Sequence, residues 1–597
     1  MKTIPERLRN LRALLDHATQ TFWQNKAFFN VGGDGYTYQD LGKKVEETAK
    51  MLASYGIQPG DRVGLVGQNS PNWVVAYFAC VGYGFVVVPM LPDFSESELK
   101  HILKHSEAKA LFVSDRIYPR IKEKARDRLE LIVSLDEMTL TKHPEPVAEP
   151  LPLIEEHHIQ PEDLATIIYT SGTTGRSKGV MLSHKNLCTT LRAAQILRPG
   201  YEWDVWLSIL PLSHTLECSL SMLLPMMSGS CVYFLEKAPT PTVLMKAFQT
   251  VRPTTMLSVP LIIEKIYRSA ILPTFQKSWL MRTLYSIPPF RKLLNRVAGK
   301  KLMEKFGGRI RFFGIGGAKL DSEVEKFLYE AKFPYAIGYG LTETSPLVAG
   351  AAPENVRWKS TGPAVYGTDV KLINQTASGE GEIVCRGDNV MMGYYKNPEA
   401  TEEAFTPDGW FRTKDLGAFD KDGYLYIRGR VGNMILGPSG ENIYPEEIES
   451  VINSHDLVEE SIVKENKGRL EALVHFNKEK LNAWLEETHE SIETTSKEAK
   501  EKIEQLKSEL LQYVNEKVSK FSRISFIHEH KDEFEKTATK KIKRYLYTGK
   551  EKPEEKKPVP VGDLPEEPIA EVTVSGPEKE PEQETDEEAQ PETDAAE

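Results

Sequence analysis

The sequence predicts an α/β protein: a large N-terminal domain of βα-layered sheets with a small β region, a smaller α+β C-terminal domain, and a disordered acidic tail. Three observations lead to this prediction. Helix-like and strand-like patterns alternate along most of the chain, short strands with Gly-rich turns begin near residue 355, and Glu and Pro dominate the last part. A chain of 597 residues exceeds one ordinary hydrophobic core, so several domains are expected.

The alternation begins near residue 41. The segment "LGKKVEETAKMLASYG" (41–56) is amphipathic and ends in Gly56, and "RVGLVG" (62–67) follows as a strand pattern. The segment "LKHILKHSEAKALFVSD" (99–115) repeats the same order. This βα alternation predicts a parallel sheet covered by helices.

Residues 73–91 carry no charge and are long enough to cross a membrane as a helix. Gly82, Gly84 and Pro89 interrupt the segment, and "FVVVPM" is typical of a buried strand. We therefore expect a helix packed on a sheet, followed by a core strand. The first 20 residues are charged and helix-like, unlike a secretory signal.

A domain boundary is expected at "GRVGNMILGPSGENIYPEEIE" (429–449), where glycines and a proline precede a helix with acidic residues in its first turn. We therefore divide the chain into a large domain (1–430), a small mobile domain (431–550) and a tail (551–597). The small domain contains a predicted helix over 495–520. Its apolar stripe is more typical of core packing than of a partner groove, and consists of Ile503, Leu506, Leu510, Val514 and Val518.

Charge is concentrated in the tail. Residues 551–597 contain 17 Asp/Glu and 4 Lys, a net charge of −13, whereas residues 1–550 contain 71 Lys/Arg and 69 Asp/Glu, a net charge of +2. A nucleic-acid-binding surface would need a basic excess, so that class is excluded. The tail is expected to be disordered, either as a solubilising segment or as a docking segment for an unknown partner.

The five cysteines are scattered, with no C-x-x-C pair. This spacing argues against a disulfide framework and a Cys-rich zinc site, and it favours a reduced, cytoplasmic setting. The cysteines are Cys80, Cys188, Cys218, Cys231 and Cys385.

The segment "YTSGTTGRSKGV" (169–180) is the first candidate for chemistry. Its glycines allow close backbone approach, its hydroxyls donate and accept hydrogen bonds, and its lysine supplies a positive charge, a mixture that suits phosphate oxygens. It is not a Walker-type loop, because its glycines are too closely spaced. The alternative is a polar surface loop.

Four further motifs follow in the chain: "GYGLTETSP" (338–346), "WFRTKDLG" (410–417), "GRVGNMI" (429–435) and "KTATKKIKR" (536–544). Taken singly, Glu343 could be a helix-start acid, Asp415 a turn residue, Arg430 a surface charge, and Lys541 part of a solvated basic run. In this order they resemble the adenylate-forming (AMP-binding) superfamily, over roughly residues 20–548. "LPLSHTLE" (210–217), a helical segment near 478–518 and "KTATKKIKR" are most similar to the long-chain fatty acyl-CoA synthetases.

The resemblance implies a two-step reaction that uses ATP, Mg²⁺ and CoA. A fatty acid would first form an acyl-adenylate with release of pyrophosphate, and a thiol, normally that of CoA, would then displace AMP. Negative charge that develops on the phosphates would be stabilised by positioned cations and N–H groups.

The resemblance also implies residue roles. Thr342 would contact the phosphates, Glu343 would hold Mg²⁺, and Lys541 would neutralise the adenylation transition state. His214 would lie near the acyl carboxylate; the Leu/Met-rich segment after it would either line an acyl tunnel or pack as plain core. The phosphate-binding set is Thr170, Ser171, Gly172, Thr173, Thr174, Gly175 and Lys178. The adenine- and ribose-binding set is Gly316, Gly317, Ala318, Tyr339, Gly340, Asp415 and Arg430.

The clearest departure from the family pattern is Gly432, where a charged residue usually marks the hinge of the small domain. Because glycine accepts many φ/ψ combinations, we expect the domain swing to persist with its poses less controlled. Two alternatives stay open: transfer of the acyl group to an acyl carrier protein, and a catalytically weak lipid-binding scaffold. A hydrophobic substrate such as a fatty acid also favours peripheral association of the protein with a membrane.

Overall fold

The computed structural model describes residues 8–150, 152–155, 158–170, 177–236, 239–436, 442–487, 496–537 and 541–549. The predicted disordered tail, 551–597, lies outside these residues. So do Ser171, Gly172, Thr173, Thr174 and Gly175 of the predicted phosphate loop.

The described residues form α-helices that begin mostly at Ser, Thr, Asn or Asp caps. Two well-formed examples are the reciprocal capping boxes of Thr37 with Asp40 and of Ser95 with Glu98. The helices are α1 (Leu11–Thr21), α2 (Tyr38–Ser54), α3 (Pro71–Val81), α4 (Glu96–Ser106), α5 (Glu123–Arg126), α6 (His184–Leu197), α7 (Thr215–Glu217), α8 (Leu224–Ser228), α9 (Pro241–Val251), α10 (Pro260–Ile266), α11 (Leu272–Gln276), α12 (Trp279–Ser286), α13 (Pro288–Lys305), α14 (Ser322–Ala331), α15 (Pro398–Ala404), α16 (Pro445–Asn453), α17 (Lys478–Glu487) and α18 (Ser496–Lys517).

The strands fall into five sheets. They are β1 (Lys26–Asn30), β2 (Gly35–Thr37), β3 (Arg62–Val66), β4 (Val86–Met90), β5 (Ala110–Val113), β6 (Leu131–Ser134), β7 (Leu140–Lys142), β8 (Leu164–Thr170), β9 (Lys178–Ser183), β10 (Val205–Ser208), β11 (Cys231–Phe234), β12 (Thr255–Ser258), β13 (Phe312–Ile315), β14 (Tyr335–Ile337), β15 (Thr368–Ile373), β16 (Gly381–Gly387), β17 (Gly393–Tyr394), β18 (Phe411–Phe419), β19 (Leu425–Arg430), β20 (Ile435–Leu436), β21 (Asn442–Ile443), β22 (Val458–Asn466), β23 (Arg469–Phe476) and β24 (Phe526–Glu529).

Two large sheets carry the βα layers. An eight-stranded sheet has the order β17-β9-β8-β4-β3-β5-β6-β7, and a seven-stranded sheet has the order β14-β13-β12-β10-β11-β1-β2. Strands β3 to β6 pair in parallel, as do β10 to β14. The predicted α/β class with helix-covered parallel sheet is therefore confirmed.

The uncharged segment 73–91 is a core element. Helix α3 is buried over almost its whole length, with Trp73 stacked on Tyr77, and strand β4 is buried throughout. Helix α3 and Val87 of β4 belong to one large hydrophobic core, and Val86, Val88 and Met90 of β4 belong to a second one. In the described part of the chain, no helix is both long enough and apolar enough to cross a membrane.

The small β region predicted after residue 355 is an antiparallel sheet, β15-β16-β18-β19. Its last pair, β18 and β19, places Asp415 directly opposite Arg430. Two site residues that are fifteen positions apart in the sequence therefore meet through strand register.

The C-terminal elements pack around a core of their own. Helices α16 and α18 cover the sheet β22-β23-β24, and the stripe residues Leu506, Leu510 and Val514 are buried there, with Val518 packed against them. The predicted core role of this stripe is thereby confirmed. All the residues of this core come from beyond residue 434.

Candidate functional site

The candidate site lies where neighbouring parallel strands end. In the seven-stranded sheet, β10, β12, β13 and β14 are neighbours, and their carboxyl ends lead into the segments of His214, Gly316 and Tyr339. Crevices outside the carboxyl ends of parallel strands are the usual ligand sites of open α/β sheets.

Asp415 is the most connected polar residue of the site. Its Oδ1 lies 3.0 Å from Nε of Arg430, and its Oδ2 accepts a 2.8 Å hydrogen bond from the hydroxyl of Tyr339. The carboxyl is buried, and desolvation raises its pKa against the opposing effect of Arg430. The structure therefore brings Tyr339, Asp415 and Arg430 together, as the motifs predict.

The glycines of the predicted adenine-binding set differ in how much space a side chain would have at each position. A Cβ on Gly340 would stand 1.7 Å from the carbonyl oxygen of Pro346, so only glycine fits there. Gly317 has a φ of +86° and lies exposed beside Ala318, whereas Gly316 is buried against Leu216. Gly317 and Ala318 therefore face open space at the carboxyl end of β13.

Lys178 and Glu343 both contact Tyr394. The hydroxyl of Tyr394 donates a 2.9 Å hydrogen bond to Oε1 of Glu343, and Nζ of Lys178 lies 4.8 Å from the Tyr394 ring centroid. Desolvation lowers the pKa of Lys178, and the nearby Lys414 lowers it further. Thr342 stands next to Glu343 in a short 3₁₀ turn.

Thr170 is paired with Lys178 at the end of the β8–β9 hairpin that adjoins its connecting loop. These two residues flank the predicted phosphate loop, whose central residues lie outside the described part of the chain. Strand β17 pairs with β9, which brings Tyr394 alongside Lys178.

Lys541 reaches the site from the C-terminal elements. Desolvation lowers the pKa of Lys541, and the charge of Arg430 lowers it further. Asp415 and Glu343 act on Lys541 in the opposite direction. Lys541 therefore lies within electrostatic range of both carboxylates.

The segment that presents Lys541 is anchored on both sides. Nζ of Lys536 lies 2.7 Å from Oε1 of Glu460, and Nη1 of Arg544 lies 2.6 Å from Oε2 of Glu449. The second pair is well sheltered from solvent, and burial holds the pKa of Glu449 above its ordinary value. These pairs fix the position of Lys541 relative to α16 and β22.

His214 caps the short helix α7, and its Nδ1 accepts a 3.3 Å hydrogen bond from the amide of Leu216. Desolvation, assisted by the charge of Lys541, lowers the pKa of His214 to about 4. The imidazole is therefore neutral near pH 7, and it lies within electrostatic range of Lys541.

Glu217 holds the segment that carries His214. Its Oε1 accepts hydrogen bonds of 2.6 Å from the Ser208 hydroxyl, 3.0 Å from the Ile209 amide and 3.4 Å from the Leu210 amide. Burial raises the pKa of Glu217 to about 7. The Leu/Met-rich residues that follow are buried in the large core, one of the two alternatives left open by the sequence.

Sequence reasoning missed Tyr394 and gave Glu217 no role. Tyr394 lies in no predicted motif, and only the pairing of β17 with β9 brings it to Lys178. Glu217 did carry a signal, because a lone carboxylate in an apolar stretch needs buried hydrogen-bond donors. Gly432 does not have a positive φ, and a Cβ there would meet nothing within 4 Å.

The chain is similar in sequence and fold to known proteins. The family model described as AMP-binding enzyme matches residues 15–395. Long chain acyl-CoA synthetase 1 of Arabidopsis thaliana is 32% identical over 473 residues, 71% of each chain. The 2-succinylbenzoate–CoA ligase of Bacillus licheniformis is 32% identical over 439 residues, 72% of this chain and 82% of the relative.

A solved structure has the same fold. It is the O-succinylbenzoate coenzyme A synthetase MenE of Bacillus subtilis in complex with ATP and magnesium ion. It superposes with a TM-score of 0.69 at 24% identity, over 89% of this chain and 98% of that one. The chain therefore belongs to the AMP-binding (adenylate-forming) enzyme family, as its motifs predict.

Proposed function

We propose that this protein is an AMP-forming acyl-CoA ligase that activates a long-chain fatty acid with ATP and transfers the acyl group to CoA. The observation that supports this most directly is the convergence of Lys541 with Asp415, Arg430 and Glu343. Several relatives about 30% identical over most of the chain are named long-chain acyl-CoA synthetases or ligases.

In the first step, a carboxylate oxygen of the fatty acid attacks the α-phosphorus of ATP. The bond between that phosphorus and the bridging oxygen to the β-phosphate breaks, and pyrophosphate leaves with the electron pair. Lys541 is the cation available to the charge that develops around the α-phosphate, and such stabilisation is often the largest catalytic contribution.

The Asp415 carboxylate would accept hydrogen bonds from the ribose hydroxyls. Arg430 and Tyr339 already hold it in place, so little reorganisation is needed when the nucleotide binds. Gly317 and Ala318 are exposed at the end of β13 and would border the adenine without crowding it.

The β- and γ-phosphates would lie between the Thr170–Lys178 hairpin and Glu343. Mg²⁺ fits this position, because it prefers oxygen ligands and is often held by one carboxylate together with substrate phosphates. Among the described residues no cluster of three or more His, Cys, Asp or Glu side chains is placed to hold a metal. Glu343, positioned by Tyr394, would supply the protein oxygen, and the metal would neutralise phosphate charge.

In the second step, the sulfur of the CoA thiolate forms a bond to the acyl carbon. The bond between that carbon and the phosphate oxygen breaks, and AMP leaves with the electron pair. The small domain, 431–550, would rotate about Gly432 between the two steps. His214, neutral at working pH because of its low pKa, would act as a hydrogen-bonding neighbour of the acyl carboxylate rather than as a charge.

Pyrophosphate release from ATP tests the proposal. It is measured with fatty acids of increasing chain length and with 2-succinylbenzoate, each with CoA, with acyl carrier protein or with neither acceptor. CoA-dependent turnover that peaks at long chains is the expected result. Turnover that is highest with 2-succinylbenzoate would contradict the proposed substrate. Turnover that requires acyl carrier protein would contradict the proposed acceptor.

The variant Lys541→Ala is expected to lose this turnover by about a hundredfold or more. Lys531→Ala, which removes an exposed lysine of the same domain, is the matched control and should retain it. If no acid led to pyrophosphate release, the ligase proposal would be wrong and the catalytically weak lipid-binding scaffold would be favoured.

A further inference from the structure

The helices α12 and α13 expose apolar side chains that the ligase reaction does not use. Trp279 is 74% exposed, Leu293 58% and Val297 49%, and Leu280 and Phe290 are also exposed. We call these five residues, together with the basic residues between and beside them, the 279–301 surface.

Helix α13 has two faces, and its exposed apolar residues Phe290, Leu293 and Val297 lie on the second. The first face packs against α14 through Asn295, Gly299 and Leu302, and a Cβ on Gly299 would stand 2.7 Å from the Cβ of Ala331. Phe290, Leu293 and Val297 follow at helical spacings of three and four, so they share one stripe away from that contact. A second stripe facing solvent is not needed for folding.

The charge of this region has one sign. Between Glu264 and Glu304 the chain has nine Lys or Arg and no Asp or Glu. Two of the arginines are paired, Arg268 with Asp321 and Arg291 with Glu330. Among the described residues no ion pair neutralises the other seven, all of which are exposed: Lys265, Lys277, Arg282, Lys292, Arg296, Lys300 and Lys301.

We infer that the 279–301 surface docks on an anionic lipid bilayer. Exposed Trp and Phe side chains suit the boundary between headgroups and acyl chains, and flanking Lys and Arg are attracted by anionic headgroups. No helix in the described residues is suited to span a membrane, so the helices lie in the interface plane. A source of long-chain acids would then lie next to the enzyme.

Vesicle flotation with the full chain tests the inference, without ATP or acid. The two compositions are phosphatidylcholine alone, and phosphatidylcholine with about one third phosphatidylglycerol, an anionic fraction that attracts basic segments. The protein is expected to float only with the anionic vesicles. Binding should weaken in about 1 M salt, where the screening length falls to about 3 Å.

Two double variants separate the contributions. Trp279→Ser with Leu293→Ser removes apolar contact, and Arg296→Gln with Lys300→Gln removes charge; each should weaken anionic vesicle binding on the order of tenfold. Phe521→Ser, at a 60% exposed side chain, and Lys421→Gln with Lys531→Gln, at exposed lysines, are the matched controls.

Equal binding by both double variants and the controls would overturn the inference. The absence of flotation with anionic vesicles would also overturn it. An acidic protein would then be the alternative partner of this surface. Because flotation uses neither ATP nor acid, its failure is distinct from failure of the ligase proposal, which is read from pyrophosphate release.

Discussion

The hydroxyl of Tyr394 donates a 2.9 Å hydrogen bond to Oε1 of Glu343. The ring of the same tyrosine lies under the ammonium of Lys178, 4.8 Å from its centroid to Nζ. One residue on a two-residue strand therefore orients the carboxylate proposed for Mg²⁺ and sits beside the lysine proposed for the phosphates.

Replacing Tyr394 by Phe tests this arrangement. The ring under Lys178 remains, whereas the hydrogen bond to Glu343 is lost, so kcat/KM for MgATP should fall about tenfold, on the scale of one hydrogen bond to a charged group. Titration of Mg²⁺ at fixed ATP in the pyrophosphate assay should reveal a raised requirement for the metal. Tyr395→Phe, at the neighbouring ring, should leave both quantities unchanged; an equal loss there would contradict the assignment.

Asp415→Asn is expected to weaken ATP binding. Asparagine keeps the shape and one acceptor but loses the charge that faces Arg430 and the second acceptor for the ribose. The KM for ATP should rise about tenfold or more, with little change in the KM for the fatty acid. Asp408→Asn, at an exposed carboxylate paired with Lys371, is the control. A rise in the fatty-acid KM alone would place Asp415 elsewhere in the reaction.

Glu217 is expected to position His214. Glu217→Ala removes the acceptor shared by Ser208, Ile209 and Leu210, which leaves buried donors without partners, so adenylate formation should fall about a hundredfold. Glu217→Gln keeps an oxygen in place and should stay within about fivefold. A Gln variant as weak as the Ala variant would show that the charge, rather than the hydrogen bonds, matters.

The pH dependence of stability independently tests the raised pKa of Glu217. Its pKa of about 7 in the folded protein lies above the value of about 4.3 for an unfolded chain. Its contribution to stability is therefore fully present below about pH 4 and is lost as the pH rises through about 7. Urea denaturation of Glu217→Gln should show a smaller loss of unfolding free energy between these limits than the unmodified chain does.

The elements that the sequence predicts well are those fixed by local pattern. Helix α2 and strand β3 carry a continuous periodicity and cap signals. The segment 73–91, long enough for a membrane span, is divided into α3 and β4 at Gly82 and Gly84, whereas Pro89 lies within β4. Local rules suffice in these cases because the periodicity and the breaking residues lie within one segment.

The residues that the sequence does not predict depend on pairing between distant segments. Tyr394 reaches Glu343 only because β17 adds to the edge of β9. The exposed stripe of α13 follows from which side of the helix packs on α14, and the sequence of α13 alone does not indicate that side. Register and helix packing are tertiary quantities, so periodicity in one segment leaves them open.

Gly432 tests the proposed movement of the small domain. A Cβ at this position meets nothing within 4 Å, so Gly432→Ala should retain both half-reactions. Gly432→Pro fixes φ near −65° and restricts Val431 as well, which should hinder rotation about the junction. Lys541 already lies near Asp415 and Glu343, so adenylate formation in Gly432→Pro should stay within about threefold, while thioester formation falls about tenfold or more.

Single-turnover measurements of acyl-AMP and of acyl-CoA separate the two steps. Equal loss in both steps, or no loss in either, would mean that the pivot lies elsewhere in the chain.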